Sequence, residues 1–301
     1  MNKNQHNQVL KVQIKRIGSY LPINDRGYLI NRDNIQNNQS HWLAAVEAVN
    51  DIYLTKWTDN IHSIYIRGSI AKGIAIDRVS DIDSFAVIKA GKFESIDISD
   101  RALFEAWAED SEAMLQAKFP FITGLELGLE PFEDVKDRDN IYSFIIKVEA
   151  VCIYGEDLAD RIAPYKLSPE IAFQTKYIHF HLEQFLSEYP NETESEKKLW
   201  LNWLMRRFLR LGMELIMQDE RNYTRDLYLC YESFAKHYPE RAEQMYHALK
   251  LAINPQTNEE AMTFVRSFGD WLVNEASKKL HHWGYKQDRE RHWVIATQQG
   301  I

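Results

Sequence analysis

Cysteine is scarce in this chain. Its 301 residues contain two, Cys152 and Cys230, too few for a disulfide framework, and neither has a Cys or His neighbour at metal-ligand spacing. Both read as buried thiols. Long apolar runs are also missing: none approaches the roughly 20 residues that a membrane span requires. The stretch Met1 to Gln8 is polar and unlike a signal peptide, so a cytoplasmic protein without a membrane partner is the expectation. Positive charge is in deficit, with 36 Lys and Arg against 44 Asp and Glu and a net charge of −8. Duplex nucleic acid is therefore disfavoured as a partner, because its binding depends on Lys and Arg neutralising phosphates. A local basic cleft, or attraction of a cationic small molecule, stays compatible with that balance. There is no internal repeat.

What is present suggests two halves of different character. Residues 1–37 are polar, with short apolar patches at Val9 to Ile14 and Tyr28 to Ile30, and read as an irregular arm or an added strand. Trp42, Leu43, Val46, Val49, Ile52 and Tyr53 are spaced as one face of a helix ending near Trp57. Ile61 to Arg67 reads as a strand stopped by Gly68-Ser69, and residues 84–88 read as a second strand. A helix is expected from near Ser99 to before Pro120, then a strand over Phe121 to Glu130. In that strand Leu125, Leu127 and Leu129 point one way and Glu126, Gly128 and Glu130 the other. Residues 139–154 form a further helix or strand.

Beyond a link near Ala163 to Ser168 the pattern becomes helical. Ser168-Pro169 reads as an N-cap followed by Pro at the first helical position. Leu199 to Met217 is apolar around most of its circumference, as the central helix of a bundle is. Thr224 is expected to cap a helix reaching Tyr238, another spans Glu240 to Ile253, and Thr257 with Glu260 forms a capping box opening a long helix that Gly284 ends. The expected fold class is α+β: an α/β domain over 1–165 followed by an all-α helical bundle over 166–301.

The chemistry concentrates in residues 61–89. A strand that ends in Gly68-Ser69 and turns into a short helix presents backbone N–H groups and a hydroxyl to one spot, which suits a phosphate. Asp81 and Asp83, at i and i+2, place two carboxylates on one side of an extended chain, where a cation between them is favoured. Magnesium takes oxygen ligands of this kind and shares them with substrate phosphates. Glu126 or Glu130 supplies a third carboxylate. The competing reading is that the two aspartates cap a turn; the apolar run after Asp83 argues for a strand instead.

Gly68-Ser69, eleven intervening residues, Asp81-Ile82-Asp83 and a later strand acid resemble the signature of the DNA polymerase β-like nucleotidyltransferase superfamily, and Ala71, Gly73 and Ser80 agree with it. The helical half resembles that of the two-domain aminoglycoside adenylyltransferases. The resemblance implies transfer of a nucleoside monophosphate, with ATP as donor, to a hydroxyl of a small-molecule acceptor such as an aminoglycoside-like antibiotic. It implies that Asp81, Asp83 and Glu126 hold two Mg²⁺, that Gly68 and Ser69 bind the terminal phosphates, and that the third acid binds a metal or serves as general base. Glu126 is preferred to Glu130, which abuts Pro131.

Basic groups complete such sites by meeting the triphosphate charge. Arg67, Lys72 and Arg78 lie near the signature, and Arg67 either joins it or points away. Asn202, Arg206 and Arg210 form one polar stripe on the central helix, facing either water or the cleft between the two halves. Arg225-Asp226 stands where the resembling enzymes carry a basic residue before Asp, which makes Arg225 a further nucleotide contact. Trp107, Trp200 and Trp203 read as core before stacking platforms, and His179 with His181 face different sides of a helix. Arg241 and His247 fit a loose RNase-like spacing that chance readily supplies. A second functional class fits the same residues: a regulatory or antitoxin-type module that binds nucleotide and binds or modifies a protein partner.

Overall fold

The computed structural model describes residues 14–96 and 101–295; most of the apolar patch at 9–14 lies outside them. By contacts the described residues divide into two compact units, one within residues 21–166 and one of residues 167–295 together with 14–20. The architecture is mixed α/β, with most of the helix in the second unit. Among the described residues no helix is long and apolar enough to cross a membrane.

In the unit of residues 21–166, α1 (Ser40–Trp57), β1 (Ile61–Arg67), the four-residue α2 (Gly68–Ala71), β2 (Ile82–Ile88), α3 (Arg101–Lys118) and β3 (Leu125–Pro131) follow in order. They are succeeded by α4 (Phe132–Lys136), α5 (Ile141–Val148) and β4 (Ala150–Gly155). The sheet order is β3-β2-β1-β4. β1 runs antiparallel to β2 and β4, and β2 runs parallel to β3. The ambiguous segment 139–154 is thus a helix and then a strand. The strand expected from Phe121 starts at Leu125, because residues 119–122 turn, the Ile122 N–H donating to Phe119 O, and pairing with β2 begins only where the Ile82 N–H meets Gly124 O.

Strand alternation sorts the sheet into two faces. Ile64, Ile66, Ile82, Ala86, Ile88 and Leu127 pack with Trp42, Val49 and Tyr53 of α1 in one apolar core. Each fully buried isoleucine or valine among them contributes about 1.5–3 kcal/mol. The Tyr53 hydroxyl reaches the ladder itself, 3.1 Å from Ser84 Oγ and 3.2 Å from Gly128 O. The opposite face carries Tyr65 stacked on Phe85, with Tyr142 of α5 edge-on to Phe85. The polar residues of the signature belong to this second face.

The helical unit contains α6 (Phe173–Glu188), α7 (Glu194–Glu220), α8 (Leu227–His237), α9 (Ala242–Ile253) and α10 (Glu259–His282), then a small hairpin of β5 (Tyr285–Gln287) and β6 (Trp293–Ile295). α7 is the central helix and begins earlier than expected, because Thr193 and Glu196 form a reciprocal capping box. Three expected caps differ. Ser168 makes no side-chain cap; Pro169–Ile171 is a single 3-10 turn, and the N-terminal turn of α6 is capped from α7 by Glu214. That carboxylate accepts the Gln174 N–H at 3.1 Å, the Thr175 N–H at 2.7 Å and the Thr175 hydroxyl at 2.9 Å. Asn258, not Thr257, caps α10. Asp226 is the N-cap residue of α8, while Thr224 Oγ1 donates to Ser19 O at 2.7 Å. That bond, the Ser19 N–H to Asp226 Oδ2 at 2.8 Å and a two-pronged Arg16–Glu232 pair attach residues 14–20 to α8.

Candidate functional site

The site begins with three strand positions. Arg67 is the last residue of β1, and Asp83 and Glu126 are the second residues of β2 and β3. The register sets Arg67 opposite Asp83 in the antiparallel pair and Asp83 opposite Glu126 in the parallel pair. Residues directly opposite share a face, so one cation and two acids stand in a row across three neighbouring strands. The Arg67 Nη2 lies 2.5 Å from Glu126 Oε1 and 3.3 Å from Asp83 Oδ1.

The electrostatics follow from that row. Burial works against a charged Arg67, but Asp83 and Glu126 outweigh it and raise its pKa. Burial raises the Glu126 carboxyl above its ordinary value; Arg67 opposes the rise, and the adjacent Asp83 carboxyl adds to it. The side chain of Glu126 keeps 56% of its surface exposed, so the crowding is at its carboxylate and the approach to it is open. Two acids this close require a cation or a proton between them.

Gly68 follows Arg67 at a φ of +75°, in the left-handed region that favours glycine. α2 has only four residues, so its contribution is the backbone donors of one turn and no sizeable macrodipole. Ser69 is half-buried in that turn, and Lys72 is its half-buried C-cap. The loop beyond is pinned from α1 and the turn before it. Asn38 Nδ2 donates to Ile35 O at 2.8 Å and Ile70 O at 2.7 Å, and its Oδ1 accepts the Ala75 N–H at 3.1 Å. Asp77 Oδ1 lies 2.8 Å from His41 Nε2 and accepts Trp42 Nε1–H at 3.0 Å. Arg78 is exposed at a φ of 60°, with its N–H on Phe121 O.

Asp81 departs from the expected strand position. The ladder starts at Ile82, and Asp81 is the exposed residue just before it, following a turn in which the Ser80 N–H bonds Ile76 O. Among the described residues no group of three or more His, Cys, Asp or Glu is arranged to hold a metal ion. The expected three-carboxylate group is thus not preassembled: Arg67 stands between Asp83 and Glu126, and Asp81 lies outside the ladder. The donor chemistry still fits a hard cation, since Asp83 and Glu126 direct oxygens to one positively occupied point. Mg²⁺ commonly uses one or two carboxylates with substrate oxygens and water instead of an all-protein cage.

Glu130 lies opposite Val87, four residues along the strand from Glu126 and therefore about 13 Å away. Burial pushes its carboxyl up to about 7, against a hydrogen bond from Tyr142. Tyr142 has no sequence signal. Arg67 has one: Ser63, Tyr65 and Arg67 alternate with the core residues Ile64 and Ile66, which places Arg67 on the polar face with Asp83.

The other basic residues named from the sequence, Arg206, Arg210 and Arg225, lie in the helical unit. Asn202 Nδ2 donates to Ala252 O at 2.5 Å and Arg210 Nε to Arg225 O at 3.4 Å. The stripe on α7 therefore binds the end of α9 and the segment before α8. Arg206 is half-buried on the same helix, and its Nε is buried without a hydrogen-bond partner. Arg225 is 8% exposed, and its charge opposes the rise of Glu214. Trp107 packs against Trp57 and Tyr53, and Trp203 against His181, Trp200 and the Arg207 guanidinium.

No family model matches this sequence, and no curated protein matches it either. Among solved structures, similarity is found to the spectinomycin adenyltransferase AAD(9) from Enterococcus faecialis, whose crystal structure contains ATP and spectinomycin. The identity is 13%, the TM-score is 0.42, and the match covers 78% of this chain and 99% of that one. A likeness of that depth fixes neither substrate nor chemistry.

Proposed function

We propose that this protein is a nucleotidyltransferase that moves a nucleoside monophosphate from a nucleoside triphosphate, ATP being the expected donor, to a hydroxyl of a small-molecule acceptor. The observation that carries the reading is the in-register pair Asp83–Glu126 beside Gly68-Ser69: two acids and a glycine turn at the ends of adjacent strands. In this reading the unit of residues 21–166 has a polymerase β-like nucleotidyltransferase fold. The net charge of −8 suits a cationic acceptor of the aminoglycoside type.

The backbone of Gly68 and the Ser69 hydroxyl take the terminal phosphates, with Lys72 adding charge from the end of the turn. Asp81, Asp83 and Glu126 are the residues that would hold magnesium, which when bound neutralises phosphate oxygens and the leaving pyrophosphate. Glu126 accepts the proton of the acceptor hydroxyl. The hydroxyl oxygen then forms a bond to the α-phosphorus as the bond from that phosphorus to the β-phosphate bridging oxygen breaks, and pyrophosphate departs with the electron pair.

The test is mass spectrometry of products from MgATP and MgGTP with pooled aminoglycosides, lincosamides and cell extract. An acceptor heavier by one nucleoside monophosphate, with stoichiometric pyrophosphate, supports the reading. Tight ATP binding without turnover on any acceptor contradicts it.

A further inference from the structure

We infer that Arg67 is a built-in counter-cation of the acidic pair, competing with a divalent cation for Asp83 and Glu126. This rests on the nucleotidyltransferase reading above and adds to it a control on metal loading. Arg67 is fixed by the fold and not by chance reach: it ends β1 directly opposite Asp83, its side chain is 19% exposed, and its Nη2 contacts both acids. The following residue, Gly68, begins the phosphate turn, so the guanidinium and the backbone donors are offered from consecutive residues.

The consequence is a trade between two cations. Without a divalent ion, Asp83 and Glu126 would repel at their adjacent strand positions, and Arg67 offsets that repulsion in a partly desolvated place where a single missing partner is costly. A hard divalent ion that takes oxygens of the same carboxylates must approach against the guanidinium charge. Bound nucleotide changes the balance, because phosphate oxygens offer the displaced guanidinium new acceptors. Metal binding to the free protein is accordingly weak, and metal and nucleotide load together. The residue type matters: one terminal nitrogen, Nη2, serves both carboxylates, and a guanidinium stays charged in a partly desolvated place where a lysine ammonium can lose its proton.

Mn²⁺ is the probe, with free ion counted by electron paramagnetic resonance in nucleotide-free protein. Arg67→Met keeps much of the apolar stem and removes the charge; Arg67→Ala is the second variant in case Met repacks. Both are expected to bind Mn²⁺ about tenfold or more tightly than wild type, and Asp83→Asn is expected to abolish the gain. A second readout is thermal melting: the Arg67 variants should melt below wild type in chelator and recover with Mn²⁺. Equal or weaker Mn²⁺ binding in both variants, with binding still sensitive to Asp83→Asn, overturns the inference and leaves the nucleotidyltransferase reading standing. Absence of saturable Mn²⁺ binding in every variant, with or without ATP, overturns both.

Discussion

A Cβ placed on Gly68 would collide with Asp83 Oδ2, so the glycine that follows β1 and the acid in the second position of β2 are packed against each other. Gly68 also holds a φ of +75°. Two independent conditions, space and backbone conformation, therefore demand glycine here. Gly68→Ala has to move either the turn or the Asp83 carboxylate. Nucleotidyl transfer should fall by roughly a hundredfold, as misplacement by about 1 Å does in oriented sites, with a stability loss of about 1–3 kcal/mol. Steady-state rates and urea unfolding of the variant check this; near-wild-type turnover would show that the contact does not position the acid.

Glu126 should reveal itself in pH dependence. Burial and the neighbouring Asp83 raise its carboxyl above the ordinary 4.5, so the ionised base is lost at a higher pH than for an exposed glutamate. In metal-free protein the Glu126 carboxyl should therefore titrate above 4.5, followed by NMR of the side-chain carboxyl carbon. Glu126→Gln should remove that titration and lower kcat by about 10²–10⁴-fold. A titration above 4.5 that persists in Glu126→Gln would assign it to another group.

Asn38 supports the loop that joins the glycine turn to the acids. It is 9% exposed and makes three hydrogen bonds, to Ile35, Ile70 and Ala75. Asn38→Ala leaves buried carbonyls and one N–H without these partners, at about 1–3 kcal/mol. Amide hydrogen exchange at Ala75 should accelerate in the variant, and a phosphate-binding role for the turn requires weaker ATP binding alongside it. Unchanged exchange would mean that the other contacts of the loop, from Asp77, Ser69 and Ser80, hold it without Asn38.

Glu214 links stability to pH in the helical unit. It is fully buried, and burial pushes its carboxyl up to about 7 against the N–H groups of Gln174 and Thr175, the Thr175 hydroxyl and the Arg225 charge. An acid whose folded pKa is raised binds more protons folded than unfolded between about 4.5 and 7, so its contribution is most favourable below that window and declines as pH rises through it. Urea unfolding of wild type and Glu214→Gln across this range isolates the effect. The stability advantage of wild type should shrink with rising pH through the window, by on the order of 1.4 kcal/mol for each pH increment of about one, and stay constant above it. An advantage that grows with pH would mean that the three donors outweigh burial.

Much of the fold is legible in the sequence because the amphipathic segments are strongly periodic. Strand β1 and helix α1 lie where their apolar spacing places them, since burial of Ile64, Ile66, Trp42 and Val49 is what defines them. Helix ends are less readable. The cap of α6 comes from Glu214, some 40 residues away, and no local pattern near Ser168 can announce it. The apolar pattern of α7 begins only at Leu199, five residues after the helix does, because its first turn with the Thr193–Glu196 box is as polar as a loop is.

At the candidate site the sequence supplies the residue types but not their neighbours. Asp83 and Glu126 can be named from strand alternation; that they stand opposite each other depends on the β2–β3 register, a tertiary property. The same register separates Glu130 from Asp83. Arg67 is readable as a basic residue beside the signature, while its contact with both acids requires the antiparallel β1–β2 pairing. On α7 the stripe of Asn202 and Arg210 is visible as a pattern, but its carbonyl partners on Ala252 and Arg225 are not.

The central claim is tested most directly by pyrophosphate release from MgATP in wild type and Asp83→Asn, with acceptor modification followed by mass spectrometry in the same reactions. The expected result is equimolar pyrophosphate and nucleotidylated acceptor in wild type, both reduced by at least about 10³-fold in Asp83→Asn, with the variant folded by circular dichroism. Transfer that survives Asp83→Asn at the wild-type rate, or no transfer by wild type to any acceptor, would contradict it.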